Sequence, residues 1–340
     1  MPDCGSATSS SRGAAEIANF PILVLELVNF VIPAGIFALL ALGLNIQWGH
    51  TGLFNGGIAA FFAIGAYTAA ILMTAGPPFP PFYSGHLGGF SQPFAIAALG
   101  AMAMAGIAGL LIAIPILRLR ADYFAIATLA LAEVIRIIIT NAEGLTGGTL
   151  GVIQIPRPFD AYVGGDPQVS DATMAILVMG LILAVYAILE YVTQSPWGRV
   201  LRGIREDEEA TLALGKNVYW FRLQAFVLGC VVMGLAGAVL STFLRVISPG
   251  QFDPLSTFAI YVMVILGGSG NNRGVVLGAF LYYAFDWVST RLKDLPALAP
   301  AAAQIPYVRF MVIGVLLVLL VLYRPEGILR EKKGVYPPVS

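Results

Sequence analysis

The chain has 340 residues, of which 58% are hydrophobic and only 11% charged, and its mean hydropathy is +0.83. A soluble domain of this size has no interior large enough for so much apolar surface, so lipid must be the solvent for much of it. Nineteen basic residues balance nineteen acidic ones, which argues against a nucleic-acid partner.

The first 19 residues are rich in Ser, Gly and Ala with little charge and read as a disordered tail. The apolar stretch 22–44 is too long for the core of a cleavable signal and reads as a first crossing. Further apolar stretches follow at 53–73, 94–117, 123–141, 172–193, 223–247, 257–266, 275–289 and 307–323, the seventh and eighth of the nine being short. A helix needs about twenty apolar residues to cross a bilayer, so the expected fold is all-α: a polytopic bundle of roughly eight to ten transmembrane helices. One membrane domain is expected over 20–330, with a cytoplasmic tail at 331–340.

Small residues recur every fourth position on two of these segments, as Ala101, Ala105, Gly109 and Ala113, and as Cys230, Gly234 and Ala238. Such stripes let helix backbones approach closely in lipid, and tight bundle packing is the expectation for both. Cys4 and Cys230 are too distant and too unlike in setting to imply a disulfide or a metal site. Neither a metal-ligand cluster nor a nucleophile–base pair stands out, so no cofactor and no catalytic chemistry is expected.

Orientation follows from Lys and Arg in the loops. Arg118 and Arg120, then Arg199, Arg202, Arg205, Lys216 and Arg222, then Arg324, Arg330, Lys332 and Lys333 fall on one side by counting crossings, and that side is expected to be cytoplasmic. Arg291 and Lys293 lie on the other side. The Gly/Pro-rich loops 76–92 and 143–171 read as compact external turns, with His86 solvated in the first.

Polar residues inside membrane helices are costly and raise a functional question. Asn45, Gln47 and Asn55 flank a run of glycines that can unwind a helix, and unwound backbone in transporters can hold a carboxylate or an ammonium. A plain cytoplasmic turn with Trp48 and His50 at the interface accounts for the same residues, and both readings stand. Glu133 and Arg136, three apart on one helix face, either contact a substrate or neutralise each other. Glu26 and Asp286 lie near helix ends, within reach of water.

Residues 195–222, SPWGRVLRGIREDEEATLALGKNVYWFR, form a charge-dense island between two apolar segments. Arg202, Arg205, Glu206, Asp207, Glu209 and Ala210 read as an exposed short helix that Gly215 stops with a left-handed cap. Its acidic residues suit it poorly for lying on headgroups, where Lys and Arg are favoured. It reads instead as a surface for a soluble partner.

This island resembles the EAA loop of bacterial ABC-importer permeases, and the whole chain beyond the tail resembles the branched-chain amino-acid permease family of the LivM type. The likeness is carried by GLNIQWGHTGLFN at 43–55 with AAFFAIGAY at 59–67, by LRLRADYFAI at 117–126 with EVIR at 133–136 and LTGG at 145–148, and by RPEGIL at 324–329. Thr211 stands where the loop motif has a second Ala, GGSGNNRG at 267–274 stands where relatives often carry a bulky aromatic, and Gly57-Ile58 replaces a common Gly-His.

The resemblance implies an inner-membrane permease paired with a second, LivH-type permease above two ATPase subunits, fed by a periplasmic binding protein. Arg202, Arg205, Glu206, Asp207, Glu209, Ala210 and Gly215 would then couple to the ATPase, and Asn45, Gln47, Asn55, Glu133 and Arg136 are the substrate-path candidates. The chain itself has no Gly-x-x-x-x-Gly-Lys-Ser/Thr loop, so it is not expected to be an enzyme. The cargo implied is a branched-chain or other neutral amino acid, with urea or an amide as the alternative in the family. A different class, the ion-coupled secondary transporter, would want paired intramembrane carboxylates, and Glu133 is the one central candidate.

Overall fold

Without water to bond to, a backbone in lipid satisfies its N–H and C=O groups within its own segment, and helices do so completely. The computed structural model describes residues 22–75, 86–160, 167–253, 255–291, 305–324 and 326–330. The expected tails at 1–19 and 331–340 lie outside these residues. The long helices are α1 (Ile22–Leu44), α2 (Ile58–Met73), α3 (Phe94–Ile116), α4 (Ala121–Asn141), α6 (Pro167–Gln194), α9 (Val218–Leu244), α10 (Leu255–Gly267), α11 (Asn272–Arg291) and α12 (Ile305–Tyr323). Three short helices join them: α5 (Glu143–Thr146), α7 (Pro196–Glu206) and α8 (Glu208–Ala213). Among the described residues no strand forms, and one antiparallel bridge pairs Val152 with Ile247.

Among the described residues, six helical stretches are long and apolar enough to cross a membrane: Glu26–His50, Phe94–Ile116, Ala121–Asn141, Pro167–Gln194, Val218–Leu244 and Pro249–Gly267. The apolar α2 is shorter. The fold is thus an all-α polytopic bundle, as its hydropathy requires. The nine segments expected from hydropathy correspond to the nine long helices, with ends displaced by a few residues. Helix α2 starts late, at Ile58, because residues 51–57 are irregular, while α6 and α9 start early, at Pro167 and Val218.

Helix α9 is the hub, packed against α3, α2 and α1, while α1 also packs on α6 and α11 and α10 pairs with α11. The close approaches run through small residues. Gly65 on α2 abuts the backbone of Gly234, Gly43 on α1 faces the carbonyl of Gly229, and Gly109 on α3 lies against the Cys230 side chain. The two small-residue stripes face each other across α3 and α9, and Gly234 sits against Ala101 and Ala105. Phe61, Phe124 and Phe226 lock α2, α4 and α9 together edge-to-face at centroid separations of 5.6 and 5.8 Å.

Candidate functional site

At the end of α1 the helix does not stop. It widens into a π-helix, Asn45–His50, and the chain then reverses through Gly52, whose φ is +73°. The amide of Leu53 bonds back to Gln47 O at 2.9 Å, and irregular chain runs on to α2. Backbone of this kind survives in a membrane protein only when it is buried in protein or lines a water-filled cavity. Asn45, Gln47 and Asn55 are fully buried, and His50 is 2% exposed.

Each of the three amides is engaged through both its nitrogen and its oxygen. Gln47 Nε2 donates to Phe226 O (2.8 Å), and its Oε1 accepts from Asn55 Nδ2 (2.8 Å). Asn55 Oδ1 accepts from Gly57 N, also at 2.8 Å, and Tyr261 OH donates to Asn55 O at 3.1 Å. Asn45 Nδ2 donates to Asn272 Oδ1 and its Oδ1 accepts from Gly270 N, both at 2.9 Å. The structure therefore binds the π end to α9, α10 and the α10–α11 turn, and in this conformation the three amides are engaged in holding that junction. Trp48 and His50 do not mark a membrane interface either: His50 is buried, and Trp48 packs edge-on against Tyr261. His86, expected to be solvated, is buried too.

Glu133 and Arg136 stand together on α4, with Arg136 Nε donating to Glu133 Oε2 at 2.9 Å and a second, shorter contact to Oε1. Their side chains are 41% and 35% exposed. A half-open ion pair on a membrane-crossing helix needs water or a protein neighbour beside it. Elsewhere on α4, Tyr123, Ile126, Val134 and Ile138 are exposed, so this helix has an outer face not covered by the rest of the bundle.

The island folds as two helices rather than one. Pro196 sits in the first turn of α7, where its missing N–H is no loss, and the Ser195 hydroxyl caps that turn. Asp207 is extended at φ −153°, ψ +106°, which breaks the helix, and its carboxylate then caps α8 through Ala210 N at 3.0 Å. Gly215, at φ +76°, ends the pair in the left-handed region foreseen for it. Thr211 is buried and returns its hydroxyl to Asp207 O (2.9 Å), which fits a polar side chain into the position of the missing Ala.

Leu201 and Ile204 turn inward, while Glu206, Asp207, Glu209, Ala210, Leu212 and Leu214 are exposed. Glu208 is held by Arg222 through two 2.8 Å bonds. Arg205 reaches inward and donates to Gly49 O in the π segment. The outward surface is thus an acidic edge beside two exposed leucines, and an arginine ties it to the buried end of α1. Leu212 and Leu214 were not singled out from sequence; an apolar residue on a short polar helix reads equally as core. Arg202 lines a cavity together with His50 and Arg273.

A sequence profile of the branched-chain amino acid transport system / permease component family matches residues 26–321. The chain belongs to this family. It is 31% identical to the high-affinity branched-chain amino acid transport system permease protein LivM of Escherichia coli K12, over 94% of this chain and 70% of that protein. The probable branched-chain amino acid transport permease protein LivM of Methanocaldococcus jannaschii is 28% identical over 93% of this chain and 97% of its own length. The LivH permease of Salmonella typhimurium is 24% identical over 91% of this chain and 96% of its own. No solved structure matches the chain. Family members are transport components rather than enzymes, and with its apolar helices this permease is a multi-pass membrane protein.

Proposed function

We propose that this chain is one permease subunit of an ATP-driven importer that carries branched-chain or other neutral amino acids across the bacterial inner membrane. Its partners in this reading are a second, LivH-type permease, two ABC ATPases under the α7–α8 surface, and a periplasmic binding protein on the opposite face. The domain runs over 20–330 with its coupling loop at 195–222, and that loop and the C-terminus face the cytoplasm. Glu206, Asp207, Glu209, Ala210 and Gly215 form the docking edge, while Arg202 and Arg205 sit behind it.

One observation carries the reading: a helix pair with an exposed acidic and apolar edge is tied through Arg205 to the π end of α1. A push on α7 and α8 therefore reaches a membrane helix directly. Asn45, Gln47 and Asn55 keep the reversal after α1 stiff enough to pass that push on, and they join the substrate path only in a conformation where their mutual bonds open.

Placing a repulsive charge in a protein interface costs several kcal/mol. In proteoliposomes holding the chain with its partners, Glu209→Arg is expected to cut ATP-dependent uptake at least ~10-fold while the bundle stays folded. Normal uptake in that variant removes the docking assignment, and uptake by the chain alone on an ion gradient overturns the ATP-driven reading.

We assign Glu133 and Arg136 to the path between the two permeases, because their half-open ion pair lies at the flank of α4, beside its uncovered face. Exchanging them (Glu133→Arg with Arg136→Glu) keeps local neutrality but reverses the charges offered to a zwitterion. Uptake should fall about tenfold or more, since a charged hydrogen bond contributes on the order of 1.5–3 kcal/mol, with the complex still assembling. Retained uptake would mean that the two residues only neutralise each other.

A further inference from the structure

Helices α6 and α9 both pack on α1. Helix α6 meets it where Gly35 faces Val178 and Ile182, and α9 meets it where Gly43 faces Gly229 and Met233. The two touch each other little, and their seam is marked by Met174 against Thr242, whose hydroxyl lies 4.0 Å from the sulfur. At one end of the pair, α7 and α8 join the last residue of α6 to the first of α9. At the opposite end, residues 151–160 cross from the end of α9 to the start of α6.

The two joints of this crossing differ in kind. Beyond α9 the crossing is pinned by backbone: Val152 and Ile247 exchange two bonds of 2.9 Å, and Ile155 N donates to Arg245 O at 3.0 Å. Arg245 adds an ion pair with Asp160. At α6 the bonds printed by the fold are between side chains. Arg157 Nη1 donates to Ser170 Oγ at 3.2 Å and pairs with Asp171, and Ser170 Oγ donates to Asp160 Oδ1 at 2.5 Å. A set of backbone bonds is indifferent to the side chains around it, whereas a side-chain joint fails when one group is exchanged or drawn away. The α6 joint is therefore the one that yields first.

We propose that residues 151–160 form a strap hinged on α9, and that its Arg157–Asp171 joint releases α6 to open the Met174–Thr242 seam on the face opposite α7 and α8. Arg157, Asp160, Ser170 and Asp171 are positioning residues in this device: they set how often the seam opens. The purpose of the opening rests on the transport reading, since an alternating permease must at one stage open the face away from its coupling surface. The opening itself belongs to this chain and needs no ATP.

The test uses the full-length chain in nanodiscs with Met174→Cys, labelled by a small charged thiol reagent and read peptide by peptide by mass spectrometry. Met174 and the native Cys230 are both buried, so both positions should label slowly in the otherwise unaltered chain. Arg157→Gln should raise the rate at position 174 about tenfold, as loss of one charged hydrogen bond implies, and leave Cys230 slow. Arg157→Lys should restore part of the protection. In the transporter assembled with its partners, Arg157→Cys with Asp171→Cys, bridged by a short reducible bifunctional thiol reagent, should lose ATP-driven uptake and regain it on reduction. The strap is overturned if Arg157→Gln labels position 174 at the unaltered rate, if Cys230 quickens in step with it, or if bridging leaves uptake intact. An unaltered assembly without any uptake would instead overturn the transport reading, and labelling at position 174 would still decide whether the seam opens.

Discussion

Gly65→Leu is expected to abolish the folded bundle. A Cβ at Gly65 would lie 2.5 Å from Gly234 Cα and would overlap the Gly234 carbonyl as well. What it meets is backbone, which cannot rotate away as a side chain would. Overpacking a core costs about 1–3 kcal/mol when neighbours can adjust, and here relief requires α2 and α9 to separate. That breaks a contact in which Gly237 is just as tightly placed, since a Cβ there would lie 2.5 Å from Ala66 N. Size-exclusion profiles and thermal unfolding in detergent should show little monodisperse protein. Gly180→Ala on α6, with no atom within 4 Å of the added Cβ, is the matched control and should fold normally. A well-folded Gly65→Leu protein would show that α2 and α9 do not pack through this contact.

Arg205→Gln should separate ATP hydrolysis from transport. The guanidinium donates from α7 to Gly49 O, at a point where the π segment is otherwise held by Asn45 and the α10–α11 turn. A charged hydrogen bond of this kind contributes on the order of 1.5–3 kcal/mol, and at about 1.4 kcal/mol per decade its loss corresponds to roughly 10- to 100-fold. In the assembled transporter the ATPase rate should change little while uptake per ATP falls by that factor. Arg205→Lys should restore part of it, because an ammonium can still reach one carbonyl. Equal losses of hydrolysis and uptake would instead mean that Arg205 only holds the docking surface together.

The bundle was legible because hydropathy acts residue by residue. Twenty apolar positions in a row have one stable form in lipid, and the stripes Ala101–Ala113 and Cys230–Ala238 could be read as packing faces before any neighbour was known. The coupling island was legible for the complementary reason, since charge concentrated in an apolar chain must lie outside the membrane. Its division at Asp207 was not. An Asp inside EDEEA reads as one more solvated carboxylate until its extended backbone makes it a cap.

The amides of Asn45, Gln47 and Asn55 show the same boundary more sharply. Their partners Phe226, Gly270 and Asn272 are up to 227 positions away, so no local pattern distinguishes a substrate contact from a structural clasp. His50 is the reverse case. Beside Trp48 it looked interfacial, and only the packing of α6, α7 and α11 around it made it a buried ring.

The amino-acid sequence by itself determined that this chain lives in a membrane, that it crosses repeatedly as helices, that one charged loop lies outside the lipid, and the family to which it belongs. These depend on composition, periodicity and short motifs, which are local. Tertiary structure alone decided which glycines are pressed against backbone, which polar residues are consumed by the fold, and that Arg205 joins the outer loop to the end of α1. Those depend on which distant segments meet, and in a bundle that is settled by mutual packing of whole helix faces rather than by any one of them.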